Sequence, residues 1–250
     1  MGARKVTVVM MVVFASMLAC GLLLAGCSQG SSGSVSSAST SGKSAASGNA
    51  ASNTASGVIS SVDSSDPDAQ YATGTHHAVL TVEGYDPINI ELNANAAPVS
   101  VWNFCKLANE GYYDGKTFYR FVDDFCMQGG TKGNSASGQD SNLKRIVGEF
   151  SANGVDNSLA DHFKKGIVAM ARTNDPNSAG STFFVTLGTS SAVSQSLDGL
   201  YAAFGTIDDA GMAVVDKIVA DYLPNVSDRG SGAIADESKQ AKITSIKVVD

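Results

Sequence analysis

Between positions 88 and 92 apolar and polar residues strictly alternate. Ile88, Ile90 and Leu92 share one face and Asn89 and Glu91 the other, the period-two pattern of a strand with one buried side. A β-rich run over 77–83 precedes it, and Gly84, Tyr85, Asp86 and Pro87 between the two carry turn chemistry, so the pair predicts a hairpin. The pattern then changes period. Pro98 is followed by Val101, Phe104, Cys105, Leu107 and Ala108 at helical spacing up to Gly111, which predicts an amphipathic helix with proline in its first turn. Val214, Val215, Ile218, Val219 and Tyr222 predict a second helix, stopped by Pro224. Further strands are predicted over 117–122, 125–128, 167–171, 182–187 and 202–207, and Ile243, Ile246 and Val248 mark a closing strand. Many short strands and two helices make a mainly β domain. A closed barrel would leave no bare sheet edge, but the pattern alone fits a sandwich equally well.

The amino terminus follows another logic. Arg4 and Lys5 precede an apolar run from Val6 to Ala25, which ends in Leu24-Ala25-Gly26-Cys27. This is the anatomy of a secretion signal over 1–26 with a lipobox, at which Cys27 would be diacylated after cleavage. Met17-Leu18-Ala19-Cys20 is a poorer second cleavage site, and an uncleaved membrane helix is the alternative, since about 20 apolar residues span a bilayer. Residues 28–57 are almost all Ser, Ala and Gly, too poor in apolar surface to offset the entropy of ordering. The segment 27–70 is therefore expected to be a lipid-anchored flexible tether, a glycosylated stalk being the other reading. The folded domain is expected over 71–250, outside the cytoplasm and held to a bacterial membrane.

Charge and cysteine count narrow the function. A formal net charge of −7 without clustered Lys and Arg excludes nucleic acid as a partner. Once Cys20 and Cys27 are set aside, Cys105 and Cys126 remain, and an oxidising compartment permits but does not require a disulfide between them. His76, His77 and His162 lack a ligand pair at helical spacing, so no metal and no cofactor is expected. No Gly-x-Ser-x-Gly context accompanies the serines, which leaves hydrolase chemistry without support.

The most specific stretch is Thr117 to Gly129, TFYRFVDDFCMQG, in which a single arginine, Arg120, stands among Phe118, Phe121 and Phe125. With Tyr112-Tyr113-Asp114-Gly115 before it and Gly130 after it, this block resembles the catalytic core of the cyclophilin prolyl isomerases. Four more blocks resemble that family in the family's order: Gly148-Glu149-Phe150, 166–172, 175–184 and 197–205. The resemblance covers about 77–250. It implies an eight-stranded antiparallel β-barrel capped by two α-helices, with a proline groove on its outside. It also implies roles: Arg120 as the catalytic arginine and Gln128 as the residue that helps hold it. Phe125, Cys126, Phe184, Leu197 and Tyr201 would wall the proline pocket, and Ala171, Arg172 and Thr182 would meet the rest of the peptide. The chain departs from the family in having Thr182 where Gln is usual, Cys126 for a larger apolar residue, Asp123-Asp124 for a Pro-Gly-like turn, and Ser196 before Leu197 where many members carry Trp nearby.

The expected function is isomerisation of X-Pro bonds in proline-containing segments of secreted or surface proteins, by a monomer that needs no cofactor. The alternative is a module that binds proline-containing peptides with little turnover; a surface adhesion lipoprotein is a third reading. Strict strand alternation would separate Phe125 from Gln128, so both serve one groove only if the strand begins with a bend.

Overall fold

The computed structural model describes residues 57–188 and 190–250. The signal segment, both candidate lipidation sites and residues 28–56 of the tether lie outside the described residues.

Among the described residues ten strands and three α-helices follow one another. They are β1 (Val58–Ile59), β2 (Thr75–Val82), β3 (Ile88–Asn93), α1 (Pro98–Asn109), β4 (Thr117–Val122), β5 (Cys126–Gly129), β6 (Arg145–Ile146), β7 (Ile167–Met170), β8 (Phe183–Thr186), α2 (Ser191–Leu197), β9 (Ala203–Ile207), α3 (Asp209–Tyr222) and β10 (Ala241–Val248). Eight of the strands close into an antiparallel barrel in the order β10-β2-β3-β9-β7-β8-β5-β4, and β4 returns to β10 through Phe118 opposite Ala241. This settles the barrel against the sandwich. Ile88, Ile90 and Leu92 point inward as their alternation requires, and Leu80, Phe118, Phe121, Met127, Phe183, Phe204 and Ile243 complete the interior.

Each long helix has identifiable ends. Gly111, at φ +68°, closes α1 in a Schellman motif: its amide donates to Ala108 O and that of Tyr112 to Leu107 O, at 3.0 and 2.9 Å. The other end of α1 lacks a side-chain cap of its own. Glu149, distant in sequence and buried, supplies it by accepting from the amides of Val99 and Ser100 and from the Ser100 hydroxyl, at 2.9, 2.8 and 2.6 Å. Burial raises the Glu149 pKa while these donors pull it down. Asp208 caps α3 by accepting from Gly211 N at 2.8 Å.

Three features go beyond the sequence reading. A third helix, α2, lies where three of seven residues are serine. Its two larger apolar residues, Val193 and Leu197, lie four apart and are both buried. Tertiary bonds hold this short helix: Ser194 Oγ donates to Phe163 O at 2.8 Å and Phe163 N to Asp198 Oδ1 at 2.7 Å. The folded part begins at least as early as Gly57, ahead of the expected start at Tyr71. β1 pairs in parallel with β6, and Asp66 and Asp68 approach Lys106 of α1 at 3.7 and 3.5 Å. Finally, Cys105 and Cys126 are both free and buried, on α1 and β5, so the disulfide that the cysteine count left open is not formed. Burial pushes their thiols up to about 12 and about 11.

Among the described residues no group of three or more His, Cys, Asp or Glu side chains is placed to hold a metal, and no helix is long and apolar enough to cross a membrane. His76 and His77 instead pair with the Asp250 carboxylate.

Candidate active site

A β-bulge in β4 sets up the site. Phe118 faces Gly129 across the β4–β5 pair, but the next register partner of Gln128 is Arg120, so Tyr119 is the extra residue. The bulge shifts the phase of the strand by one. Phe118 and Phe121 are therefore both buried although three residues apart, and Arg120 lies across from Gln128. Tyr119 is itself buried, with its hydroxyl accepting from Gln128 Nε2 at 2.8 Å.

Arg120 is held from three directions. Its Nε donates to Ser231 O at 2.7 Å, and its Nη1 donates to Gln128 Oε1 at 3.0 Å and to Cys126 Sγ at 3.1 Å. The Phe125 ring lies 5.8 Å from the guanidinium carbon. Among the described residues Nη2 has no hydrogen-bond partner, so two N–H donors of a fixed cation remain available. Ser231 belongs to a segment that pairs with the open edge of β4: Phe121 N donates to Gly232 O and Ile234 N to Tyr119 O, both at 2.9 Å. Asp228 stiffens that segment by accepting from Ser231 Oγ at 2.7 Å and Gly230 N at 2.9 Å.

Arg120 opens into a cavity of about 190 Å³, lined also by Phe125, Cys126, Gln128, Ala171, Arg172, Phe184, Leu197 and Tyr201. Phe125 lies outside β5. Asp124, at φ +52°, turns the chain before it, and this is the bend that lets Phe125 share a groove with Gln128. Phe184 meets Tyr201 edge-on at 5.6 Å and stacks on Phe163 at 6.3 Å. The Arg172 guanidinium sits over the Tyr201 and Phe150 rings at 4.7 and 5.1 Å and donates to Leu200 O and Thr173 O, so it acts as a clamp on the cavity wall. Thr182 does not line this cavity. It lies in an adjoining one of about 290 Å³ that shares Ala171, and its carbonyl accepts from Ala171 N at 2.9 Å. Two larger hollows, of about 710 and 540 Å³, lie elsewhere on the surface, and neither is lined by Arg120.

Ser231 and Tyr119 are positioning residues that the sequence does not reveal. Ser231 acts through a backbone carbonyl, which no residue type marks, and Tyr119 reads as one more aromatic in a strand. Glu149 lies in a recognisable block, but its capping of α1 depends on a contact 49 and 50 residues away.

An aromatic-walled hollow on a closed barrel, with Arg120 held at its edge by three hydrogen bonds, is the geometry set beside known proteins. A family model described as cyclophilin type peptidyl-prolyl cis-trans isomerase matches residues 77–248, and the chain belongs to that family of isomerases. A peptidyl-prolyl cis-trans isomerase-like 1 of Rhizopus delemar is 40% identical over 131 residues, which cover 52% of this chain and 73% of that one. The peptidyl-prolyl cis-trans isomerase A of Dickeya dadantii is 34% identical over 157 residues, covering 62% and 77%. A crystal structure of a cyclophilin-type isomerase from Cryptosporidium parvum shares the fold, with a TM-score of 0.57 at 23% identity over 71% of this chain and 99% of that one. A second structure of that protein, in the presence of the dipeptide Ala-Pro, has a TM-score of 0.56 at 24% identity, over 70% and 99%. The present chain is accordingly a peptidyl-prolyl cis-trans isomerase.

Proposed function

We propose that the chain isomerises X-Pro bonds of secreted or surface proteins, with Arg120 stabilising the twisted amide. The observation that carries this reading is the guanidinium fixed by Ser231, Gln128 and Cys126 with Nη2 unpartnered beside an aromatic-walled hollow. Rotation about X-Pro has a barrier near 18 to 20 kcal/mol because the amide nitrogen shares its lone pair with the carbonyl. Twisting returns that lone pair to nitrogen. A preorganised cation with donors aimed there stabilises the twisted state more than either planar one, which is differential binding. The walls from Phe125, Phe184, Leu197 and Tyr201 hold the pyrrolidine ring while the other side of the bond turns. Shortening an event of about 100 s to about 1 ms needs roughly 10⁵-fold, or about 7 kcal/mol, within reach of one charged hydrogen bond plus positioning.

The chemistry of the site sets its pH dependence. Burial pushes the Cys126 thiol up to about 11 and raises the Tyr119 phenol, so both stay neutral well past pH 9. A guanidinium keeps its charge at any working pH. Turnover of a short X-Pro peptide is expected to be nearly flat from about pH 6 to 9, and a bell-shaped profile would reveal an acid-base group instead.

The client class rests on the amino terminus. A lipidated Cys27 would hold the enzyme at a membrane on a tether, among proteins that are folding after export. Several acyl chains on one cysteine anchor firmly, because each buried methylene contributes about 0.8 kcal/mol. Cys27→Ser is expected to move the protein from the membrane fraction to the soluble one in a bacterial host that lipidates such signals. Retention of the variant in the membrane would favour the uncleaved helix.

A further inference from the structure

The segment 57–72 precedes the stretch matched by the family model and is nevertheless built onto the domain. It is fastened at two places. At its far end, Trp102 Nε1 donates to Asp66 Oδ1 at 3.2 Å, Asn109 Nδ2 donates to Asp68 Oδ1 at 3.2 Å, and Lys106 lies near both carboxylates. At its near end, β1 runs parallel to β6 with Ile59 in register with Ile146, and Val147 N donates to Ile59 O at 2.9 Å. Ile59 and Val62 are half-buried against the core.

The partner of β1 belongs to the groove wall. Ile146 is fully buried between β1 and residue 179, to whose carbonyl its amide donates at 3.0 Å. Leu143 and Arg145 line the cavity that contains Ala171 and Thr182, and on their other side they line the 710 Å³ hollow that contains Gly57 and Val58. The wall 143–147 thus stands between the peptide groove and the β1 strap. Residues 130–144 contain no helix or strand, so the wall is held by its pairing with β1 and residue 179, together with Arg145 near Asp175 at 3.5 Å and Gly148 N donating to Asn177 Oδ1 at 3.0 Å.

We propose that the β1 strap is a specificity-setting element: by fixing 143–147 it shapes the second cavity for peptide residues beyond the X-Pro pair. Its residues touch no reacting atom, and they act through Leu143, Arg145 and Thr182. The proposal rests on the isomerase reading of the groove. Its signature is a change in affinity that depends on substrate length, because the Arg120 cavity does not include the wall.

The test uses the full chain with Ile59→Asp, which puts a carboxylate where an apolar side chain packs, and the milder Ile59→Ala. An Ala-Pro unit is presented in a blocked tetrapeptide and in a dodecapeptide extended on both sides, with kcat and KM measured for each and calorimetric affinity alongside. The expected result is a KM for the dodecapeptide raised about fivefold or more, with kcat and the tetrapeptide parameters within about twofold of the parent. Unchanged dodecapeptide KM in both variants overturns the proposal. Parallel losses for both peptides in the milder variant also overturn it, since they mean general damage to the fold. A parent that binds both peptides without accelerating either would sink the isomerase reading alone. The calorimetric affinities would then decide for the strap by the same length dependence.

Discussion

Replacing Arg120 by alanine is expected to lower kcat/KM for a short X-Pro peptide by about 10² to 10³-fold, the usual effect of removing one preorganised donor from a transition-state site. That is about 3 to 4 kcal/mol of lost stabilisation of the twisted amide. On the proposed reading the loss should fall on kcat, because the cavity walls contributed by Phe184, Leu197 and Tyr201 do not depend on the guanidinium. Arg120→Lys should not restore the rate. A single ammonium cannot reach Ser231 O, Gln128 Oε1 and Cys126 Sγ together and still present a donor to the peptide. The assay is cis-to-trans relaxation of the peptide, with the melting temperature of each variant recorded beside it. An alanine variant that keeps its rate within a few-fold would move catalysis to another residue, and a folded parent with no acceleration would leave a peptide-binding module.

A second large effect is expected at a residue without a side chain. A Cβ on Gly129 would lie 2.3 Å from Thr117 O, 2.8 Å from Phe118 Cα and 2.9 Å from Phe118 Cδ1. Two of those three are backbone atoms of the paired strand, so relief requires β4 and β5 to separate. They would separate at the bulge that puts Arg120 opposite Gln128. Gly129→Ala is therefore expected to cost at least about 3 kcal/mol of unfolding free energy, a fall in melting temperature of roughly 6 to 12 °C for a domain of this size. Activity should fall at temperatures where the variant is still folded, because the register of the arginine is disturbed with the sheet. Gly180→Ala serves as the control: a Cβ there meets nothing within 4 Å, and it should melt within about 2 °C of the parent. Equal stability of the two variants would show that the strands part without difficulty and that the bulge is not under close constraint.

The elements were legible where one physical signal dominated. Alternation at Ile88, Ile90 and Leu92 specified an inward face, because a strand with a single buried side tolerates no slip of one residue. Helical spacing from Val101 to Ala108 marked α1, and Gly111 marked its end through the left-handed turn that glycine adopts freely. Both long helices were visible for these reasons. The short α2 was not, since its two larger apolar residues hardly exceed chance and its stability comes from bonds to Phe163 and Asp198. The strap at 57–62 was also hidden. Three apolar residues, Val58, Ile59 and Val62, at the end of a serine-rich tract read as tether until β6 offers β1 a partner.

For the site, the residue types around Arg120 were sufficient to name the arginine, its glutamine and most of the cavity. They did so through resemblance in five blocks, as the periodicity of β4 argues against the arrangement: Phe118 and Phe121 cannot face one interior in an unbroken strand. The bulge at Tyr119 resolves that conflict, and beside it Gly129 lets the two backbones approach closely. The sequence by itself determined the kinds of groups present: an arginine among aromatics, helices with their stops, strands with one buried face. These are local properties, set by backbone sterics and by the period at which apolar residues recur. Only the tertiary structure decided which atoms hold the arginine, that Thr182 lines a second cavity, and that β1 supports the wall between that cavity and the outside. The Ser231 carbonyl on Arg120 and the pairing of β1 with β6 are contacts between residues far apart in the chain, made by backbone groups that no residue type announces.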